Sequence, residues 1–157
     1  MALDDDIAFF GQVPLLALLG EEALRILAIG AESRVVQHGM VLFYAGDLAD
    51  GGYLVQSGSF LLEPETPNGS QEIKGKKVGP GTLLGELALL TDTVRASTAT
   101  ALEPATVMRI PRSLFLKMLE GYPAAARRLR DAMALRVDAF TREVESVKST
   151  IDPDSAA

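Results

Sequence analysis

Between Ser33 and Arg112 the sequence breaks into short apolar runs separated by glycines, and this pattern constrains the fold more than any other feature. The runs are rich in Val, Leu, Phe, Tyr and Thr, which favour β-strands, and glycine turns bound them. No helical pattern alternates with the runs, so a parallel α/β sheet is disfavoured and an antiparallel β jelly roll or barrel is predicted. The predicted strands are 34–37, 40–44, 52–56, 59–63, 72–78, 97–101 and 105–110.

Helical patterns flank this region on both sides. Residues 13–29 repeat apolar side chains at helical spacing up to Gly30, which indicates one or two short helices. Beyond Pro111, a residue suited to the first turn of a helix, the pattern predicts a helix over 113–119 and a longer one over 123–147.

The length of 157 residues fits one domain rather than two. We therefore expect a mainly β fold with flanking helices and one short helix inside the β-roll. The predicted organisation is a single domain, 1–157, with an N-terminal helical region (1–32), a β-roll (33–112), a pair of C-terminal helices (113–150) and a tail (151–157).

Charge and residue usage disfavour several classes of function. The chain carries 15 basic and 21 acidic residues, a net charge of −6, so no direct DNA binding is expected. No apolar stretch approaches the roughly 18 to 20 residues that span a bilayer, and the start is acidic, so we expect no membrane span and a cytoplasmic location. Cysteine is absent and His38 is the single histidine, so no metal site, cofactor or catalytic residue is predicted.

A segment inside the β region has an unusual composition for a strand. Gly85 and Glu86 precede four good helix formers, which predicts one helical turn whose N-terminal N–H groups attract an anion. Glu86 can accept a hydrogen bond from a ribose hydroxyl, and Arg95 can neutralise a phosphate. Residue chemistry alone leaves an alternative open, in which Glu86 only complements the helix dipole and Arg95 only forms a surface ion pair.

Residues 85–97, GELALL followed by TDTVRAS, resemble the phosphate-binding cassette of the cyclic nucleotide-binding domains. That family includes the catabolite activator proteins, the regulatory subunits of cyclic-nucleotide-dependent kinases and cyclic-nucleotide-regulated channels. The runs LFYAGD at 42–47 and YLVQSG at 53–58 resemble strand and glycine-turn motifs of the same family. Residues 85–97 are called the cassette below.

The resemblance implies a role for each matching residue of the cassette. Glu86 would hold the ribose 2′-hydroxyl and Arg95 the exocyclic phosphate oxygens of a bound cyclic nucleotide. Backbone N–H groups would complete the phosphate cradle, and one more residue would line the same wall. The backbone groups are those around Gly85, Leu87, Ala88 and Ala96, and the wall residue is Ser97.

The cassette departs from the family pattern at several positions. Leu84 stands where an aromatic residue is common, and Val94 stands where proline is common. Asp92 replaces a common glycine, and we expect its carboxylate to point to water because it would otherwise repel the phosphate. Ala96 lacks the hydroxyl that guanine-selective members often place after the arginine, which favours cAMP over cGMP.

The C-terminal helix carries two further predictions. The resemblance implies that this helix moves onto the ligand and that Arg136 reaches the base, although a solvated surface arginine is the alternative. Apolar residues at heptad spacing predict a homodimer seam, and packing against the chain's own β-roll is the alternative. The seam contains Met133, Val137, Phe140 and Val144, followed by Val147 and Ile151.

The functional prediction is a receptor without enzyme activity that converts binding of a cyclic nucleotide, cAMP more than cGMP, into movement of its C-terminal helix. The alternative is a ligand-free β-roll that serves as a dimerisation or protein-docking scaffold. An enzyme is disfavoured because hydrolysis needs a metal or a positioned base, which a lone histidine does not supply. Whether the chain is free-standing or belongs to a longer regulator stays open.

Overall fold

The computed structural model describes residues 3–65 and 75–134. Five helices and ten strands lie in these ranges, with a 3₁₀ helix, Leu87–Leu89, inside the cassette. The helices are α1 Leu3–Phe10, α2 Pro14–Ala17, α3 Glu21–Gly30, α4 Arg112–Gly121 and α5 123–134. The strands are β1 Glu32–Val36, β2 Val41–Phe43, β3 Leu48–Ala49, β4 Gly51–Ser57, β5 Phe60–Pro64, β6 Lys76–Val78, β7 Leu83–Leu84, β8 Thr93–Val94, β9 Ser97–Ala101 and β10 Ala105–Pro111.

The strands form three antiparallel sheets. One sheet has the order β1-β10-β4-β7, the second has the order β2-β9-β5-β6, and β3 pairs with β8 in a two-stranded ribbon. The predicted class, antiparallel sheets with flanking helices and a short internal helix, is confirmed. The sheets do not close into a barrel, so the barrel form of that prediction is wrong.

Two apolar cores hold these layers together. The first lies between the helices and the first sheet and buries Leu16, Leu27 and Phe115 completely. The second lies between the two larger sheets and includes Val55 and Phe60. Burial of large apolar side chains supplies the main stabilisation of each core, at roughly 1.5 to 3 kcal/mol per side chain.

The last described helix is fastened to the start of the chain. Arg128 donates from Nε to the carbonyl of Leu18 at 2.6 Å and from Nη2 to the carbonyl of Leu19 at 3.0 Å. These carbonyls follow α2, where helix geometry leaves acceptors without partners inside the helix. Ala125 and Leu129, one turn apart on the buried side of α5, complete the attachment.

Most boundaries agree with the sequence predictions to within a few residues, and 97–101 coincides with β9. The helix α1 lies in the predicted N-terminal helical region, for which the sequence pattern indicated no bounds before residue 13, and the short strands β3, β7 and β8 were missed. Among the described helices none is long and apolar enough to cross a bilayer. The single-domain organisation stays a prediction, because residues 66–74 and the C-terminal segment from 135 lie outside the described residues.

Candidate functional site

The cassette begins where the chain leaves β7. Leu84 pairs with Tyr53 of β4, and the next residue, Gly85, has a φ of +82°, a conformation that other residues rarely adopt. This turn ends the strand and starts the 3₁₀ helix, in which the Ala88 N–H donates to the Gly85 carbonyl at 3.0 Å. The predicted helical turn is therefore present, and the Ala88 N–H, one of the predicted phosphate donors, already has a partner.

A glycine turn outside the cassette fixes the backbone of Arg95. The Arg95 N–H donates to the Asp47 carbonyl at 2.8 Å, and the Arg95 carbonyl accepts from the Gly46 N–H at 2.8 Å. Gly46 has a φ of +90°, which allows the turn at 42–47 to present both groups to the same residue. The motif at 42–47, which the sequence analysis identified, thus fixes the backbone of Arg95 through two hydrogen bonds.

The Arg95 side chain is buried, and its guanidinium lies over the faces of two neighbouring aromatic rings. Its guanidinium carbon lies 4.5 Å from the centroid of Phe43 and 5.3 Å from that of Tyr53, and the residue is 7% exposed. The rings stack on each other with centroids 5.9 Å apart. Aromatic faces attract a guanidinium, so this pair holds the cation in one orientation. The Nη2 atom donates to the Gly51 carbonyl at 2.8 Å.

The other terminal nitrogen of Arg95, Nη1, is buried and has no hydrogen-bond partner among the described residues. It lies against Gly85, so closely that a Cβ atom on that glycine would collide with it. Burial lowers the pKa of the Arg95 guanidinium, and the neighbouring Tyr53 and Asp50 partly oppose this effect. An arginine stays charged in proteins, so Nη1 is a buried cationic donor beside Gly85 that has no acceptor among the residues that the structure describes.

A cavity of about 450 Å³ opens at this point, a volume in the range of small-molecule sites. Its lining includes every cassette residue that the sequence analysis proposed as a ligand contact: Gly85, Glu86, Leu87, Ala88, Arg95, Ala96 and Ser97. The structure therefore brings the predicted residues together, and their ligand-binding roles stay predictions. The facing wall, which the sequence analysis did not identify, includes Phe43, Leu62, Lys76 and Val78.

The carboxylate of Asp92 points away from the cavity. Its side chain is 93% exposed and forms an ion pair with Nη2 of Arg112, the first residue of α4. Arg112 Nη1 also donates to the carbonyls of Ala49 at 3.0 Å and Thr91 at 3.1 Å. The carboxylate therefore does not oppose a phosphate in the cavity, and it connects the cassette to the C-terminal helices instead.

The remaining predicted positions fall partly outside the described residues. Arg136, the predicted base contact, lies outside them, as do the seam residues Val137, Phe140 and Val144. Met133, the first seam residue, is half-buried and packs against the helical core of its own chain.

In the ranges 3–65 and 75–134, titratable side chains do not form a second candidate site, either catalytic or metal-binding. His38 is exposed in the turn between β1 and β2. These ranges contain no cluster of three or more histidine, cysteine, aspartate or glutamate side chains able to hold a metal ion.

Comparison with known proteins gives consistent matches. The sequence model of the cyclic nucleotide-binding domain matches residues 33–122. The structure of a cyclic nucleotide-binding-like protein from Brucella abortus has 42% sequence identity and a TM-score of 0.65, over 74% of this chain and 99% of that chain. The cyclic AMP receptor protein of Thermus thermophilus is 32% identical over 79% of this chain and 57% of the receptor.

A different class of protein carries a similar segment. A lysophospholipase of Neurospora crassa is 31% identical over 105 residues, which make up 67% of this chain and 7% of the enzyme. The chain thus spans a small fraction of the lysophospholipase and little more than half of the Thermus receptor.

The incomplete hydrogen bonding of Arg95 predicts an unusual stability effect. Without ligand, Arg95→Met should leave the free energy of unfolding within about 1 kcal/mol of the parent, or raise it, because apolar replacement of a buried charge is often neutral or stabilising. Urea denaturation measures this value. Arg112→Met is the control and should lower it by about 1 to 3 kcal/mol, because it removes several hydrogen bonds. A loss of that size in Arg95→Met would instead assign Arg95 a structural role.

Proposed function

The chain belongs to the cyclic nucleotide-binding domain family, and from this premise we propose that it is a receptor for a cyclic nucleotide, which it binds in the cavity beside the cassette. The observation that carries the proposal is the buried Nη1 atom of Arg95, a charged donor without a partner in the described chain. A singly charged cyclic phosphate supplies the acceptor oxygens and the compensating charge that this atom needs. We further propose that residues 1–157 form one such domain.

The phosphate end of the ligand lies, in this proposal, against Arg95 and Gly85. The absence of a side chain on Gly85 lets a phosphate oxygen approach both the backbone and Nη1. Glu86, half-buried on the cavity wall, accepts a hydrogen bond from the ribose 2′-hydroxyl. The N–H groups around Leu87 and Ala96 and the wall residue Ser97 complete the contacts.

The proposed physiological ligand is cAMP. Ala96 lines the cavity without a hydroxyl, so it gives no side-chain hydrogen bond to the 2-amino group of guanine. One neutral hydrogen bond contributes about 1 kcal/mol, so the resulting preference over cGMP is somewhat under tenfold. The similarity to a cyclic AMP receptor protein supports the same choice.

Ligand binding is converted, in this proposal, into a change at the C-terminal helices. Arg112 belongs to the first turn of α4, and its side chain holds Thr91 and Asp92 at the far end of the cassette helix. A ligand that orders the cassette therefore also acts on α4 through this arginine. In this account the chain binds the nucleotide and does not catalyse a reaction on it, so the nucleotide is released chemically unchanged.

Titration calorimetry with Arg95→Met tests the proposal. The parent should bind cAMP with a Kd in the micromolar range or below, and Arg95→Met should bind at least about 30-fold more weakly, because loss of a buried charged hydrogen bond costs about 2 kcal/mol or more. Arg34→Met, which removes an exposed arginine outside the cavity, should match the parent.

Two results would contradict the receptor proposal. The absence of heat and of a thermal shift with cAMP and cGMP would favour the ligand-free scaffold. Chromatography of the nucleotide after titration should return it intact, and a hydrolysed product would assign the chain a catalytic role instead.

The role of Glu86 is tested with a nucleotide that lacks the ribose 2′-hydroxyl, the proposed partner of its carboxylate. Glu86→Ala should weaken cAMP binding by about tenfold or more, as expected for a hydrogen bond to a charged group. The parent should bind 2′-deoxy-cAMP with a similar loss, and Glu86→Ala should bind both nucleotides equally. If the variant still discriminates between them by the parent's ratio, the 2′-hydroxyl contacts another group.

Amide hydrogen exchange tests the coupling to α4. Saturating cAMP should slow exchange in the cassette and in Arg112–Gly121 of the parent, because binding stabilises the contacts that join them. Arg112→Met should keep the effect in the cassette and lose it in α4, whereas Lys117→Met, on the exposed side of the same helix, should behave as the parent. Persistence of the α4 effect in Arg112→Met would refute this route.

A further inference from the structure

The strand β1 forms an open edge of the first sheet. It pairs with β10 on one side, and in the part of the chain that the structure describes no strand pairs with its other side. Residues 32–35 are all exposed, and Val35 is 75% exposed. An uncovered edge presents backbone N–H and C=O groups that can pair with a strand of another chain.

Alternate residues of β1 project from opposite faces of the sheet. Ser33 lies opposite Met108, which belongs to the core between the helices and this sheet, so Ser33 and Val35 project to the helical side. Glu32 and Arg34 project from the other face, where their charged groups lie 3.5 Å apart and both side chains are half exposed. The edge thus carries an uncovered apolar residue on one face and two opposite charges on the other.

Charged residues on a strand edge ordinarily oppose pairing with another chain. An antiparallel pairing of β1 with β1 of a second copy, centred on Ser33, is an exception because its charges are complementary. It places Glu32 of each copy opposite Arg34 of the other, whereas centring on either charged residue would set like charges opposite each other. It also places Val35 of each copy opposite Ala31 of the other, and Ala31 already has an extended backbone.

We propose that β1 is a docking edge for a second copy of this chain, which pairs with it about a two-fold axis at Ser33 and joins the two four-stranded sheets into one. Two-fold symmetry uses the same edge on both copies, so association through it ends at a dimer. The edge is only five residues long, so the dimer forms in a concentration-dependent way. The proposal is independent of the proposed function, because no residue of β1 lines the cavity.

This surface is separate from the dimer seam predicted on the C-terminal helix. Met133, the first residue of that seam, packs against the helical core of its own chain, whereas residues 32–35 are exposed. A dimer formed through either surface has the same mass. The test must therefore identify which residues meet, in addition to counting the copies.

The test is disulfide cross-linking, which is specific because the parent chain contains no cysteine. At the two-fold axis the Cα atoms of the two Ser33 residues are about 4.5 to 5.5 Å apart, a distance that a disulfide can bridge. Under a mild oxidant, Ser33→Cys should therefore form a covalent dimer on a non-reducing gel. Val35→Cys is the control and should stay monomeric, because the two copies of that residue, on the same exposed face, are about 14 Å apart along the paired strands.

The charge pairing is tested by adding Arg34→Glu to Ser33→Cys. Glu32 then faces a carboxylate in both of its cross-strand pairs, so the rate of covalent dimer formation should fall by about tenfold. Ser33→Cys with Arg127→Glu carries the same change of charge at an exposed residue of α5, and it should cross-link as fast as Ser33→Cys alone.

Three results would overturn the proposal. Equal cross-linking of Ser33→Cys and Val35→Cys would indicate random collision. A Ser33→Cys variant that stays monomeric under the oxidant, or a rate that Arg34→Glu leaves unchanged, would show that β1 does not pair in this register. A dimer that sediments without forming the Ser33 cross-link would assign the contact to another surface.

Discussion

The burial of one incompletely hydrogen-bonded cation is the constraint on which the site depends. The Arg95 guanidinium lies over two aromatic rings and is hydrogen-bonded to one backbone carbonyl, yet its Nη1 atom has no partner in the described chain. A buried donor without a partner costs about 1 to 3 kcal/mol, so the surrounding structure must hold the side chain in place. Gly46, Asp47 and Gly51 do so through backbone groups, and Gly85 leaves the space that the guanidinium occupies.

The cassette is also tied to the helices, and the tie involves a residue that departs from the family pattern. Asp92 stands where the resemblance leads one to expect glycine, and its charge is compensated by Arg112 on α4. The same arginine bonds carbonyls of the ribbon and of the cassette. One side chain therefore holds three elements together at the point where the chain passes from strands to helices. At the other end of the helical layer, Arg128 secures α5 to the loop after α2.

The sequence predicted those elements of the structure that produce a local pattern of glycine spacing or apolar periodicity. Glycine spacing indicated the strands, and the run from Gly85 to Arg95 indicated residues that line one cavity in the structure. Two-residue strands such as Leu83–Leu84 were missed because alternation needs more residues than they contain. The periodicity of residues 13–29 correctly indicated α2 and α3, whereas the acidic start of Leu3–Phe10 hid the bounds of a helix in the predicted N-terminal helical region.

The rest of the site depends on strand pairing and hydrogen bonds between residues far apart in the sequence, which no local pattern indicates. Lys76 lines the cavity because of the register across four strands. Arg112 donates to backbone carbonyls, and because every residue has a carbonyl, the sequence does not indicate which ones it contacts. Met133 shows the same limit, because its heptad spacing fits both a partner helix and the core of its own chain, and the described structure packs it against the latter.

The position of Nη1 beside an open cavity has a consequence for how the site behaves in a mixed solution. A cationic donor at that point does not distinguish a cyclic phosphodiester from inorganic phosphate or sulfate, because all present the same kind of oxygen. Under the proposed function, a nucleotide in a cell or a phosphate buffer would therefore enter by displacing another oxyanion. The affinity measured in such a solution would be that of an exchange, set by the ribose and base contacts that the simple anion lacks, and it would vary with the buffer.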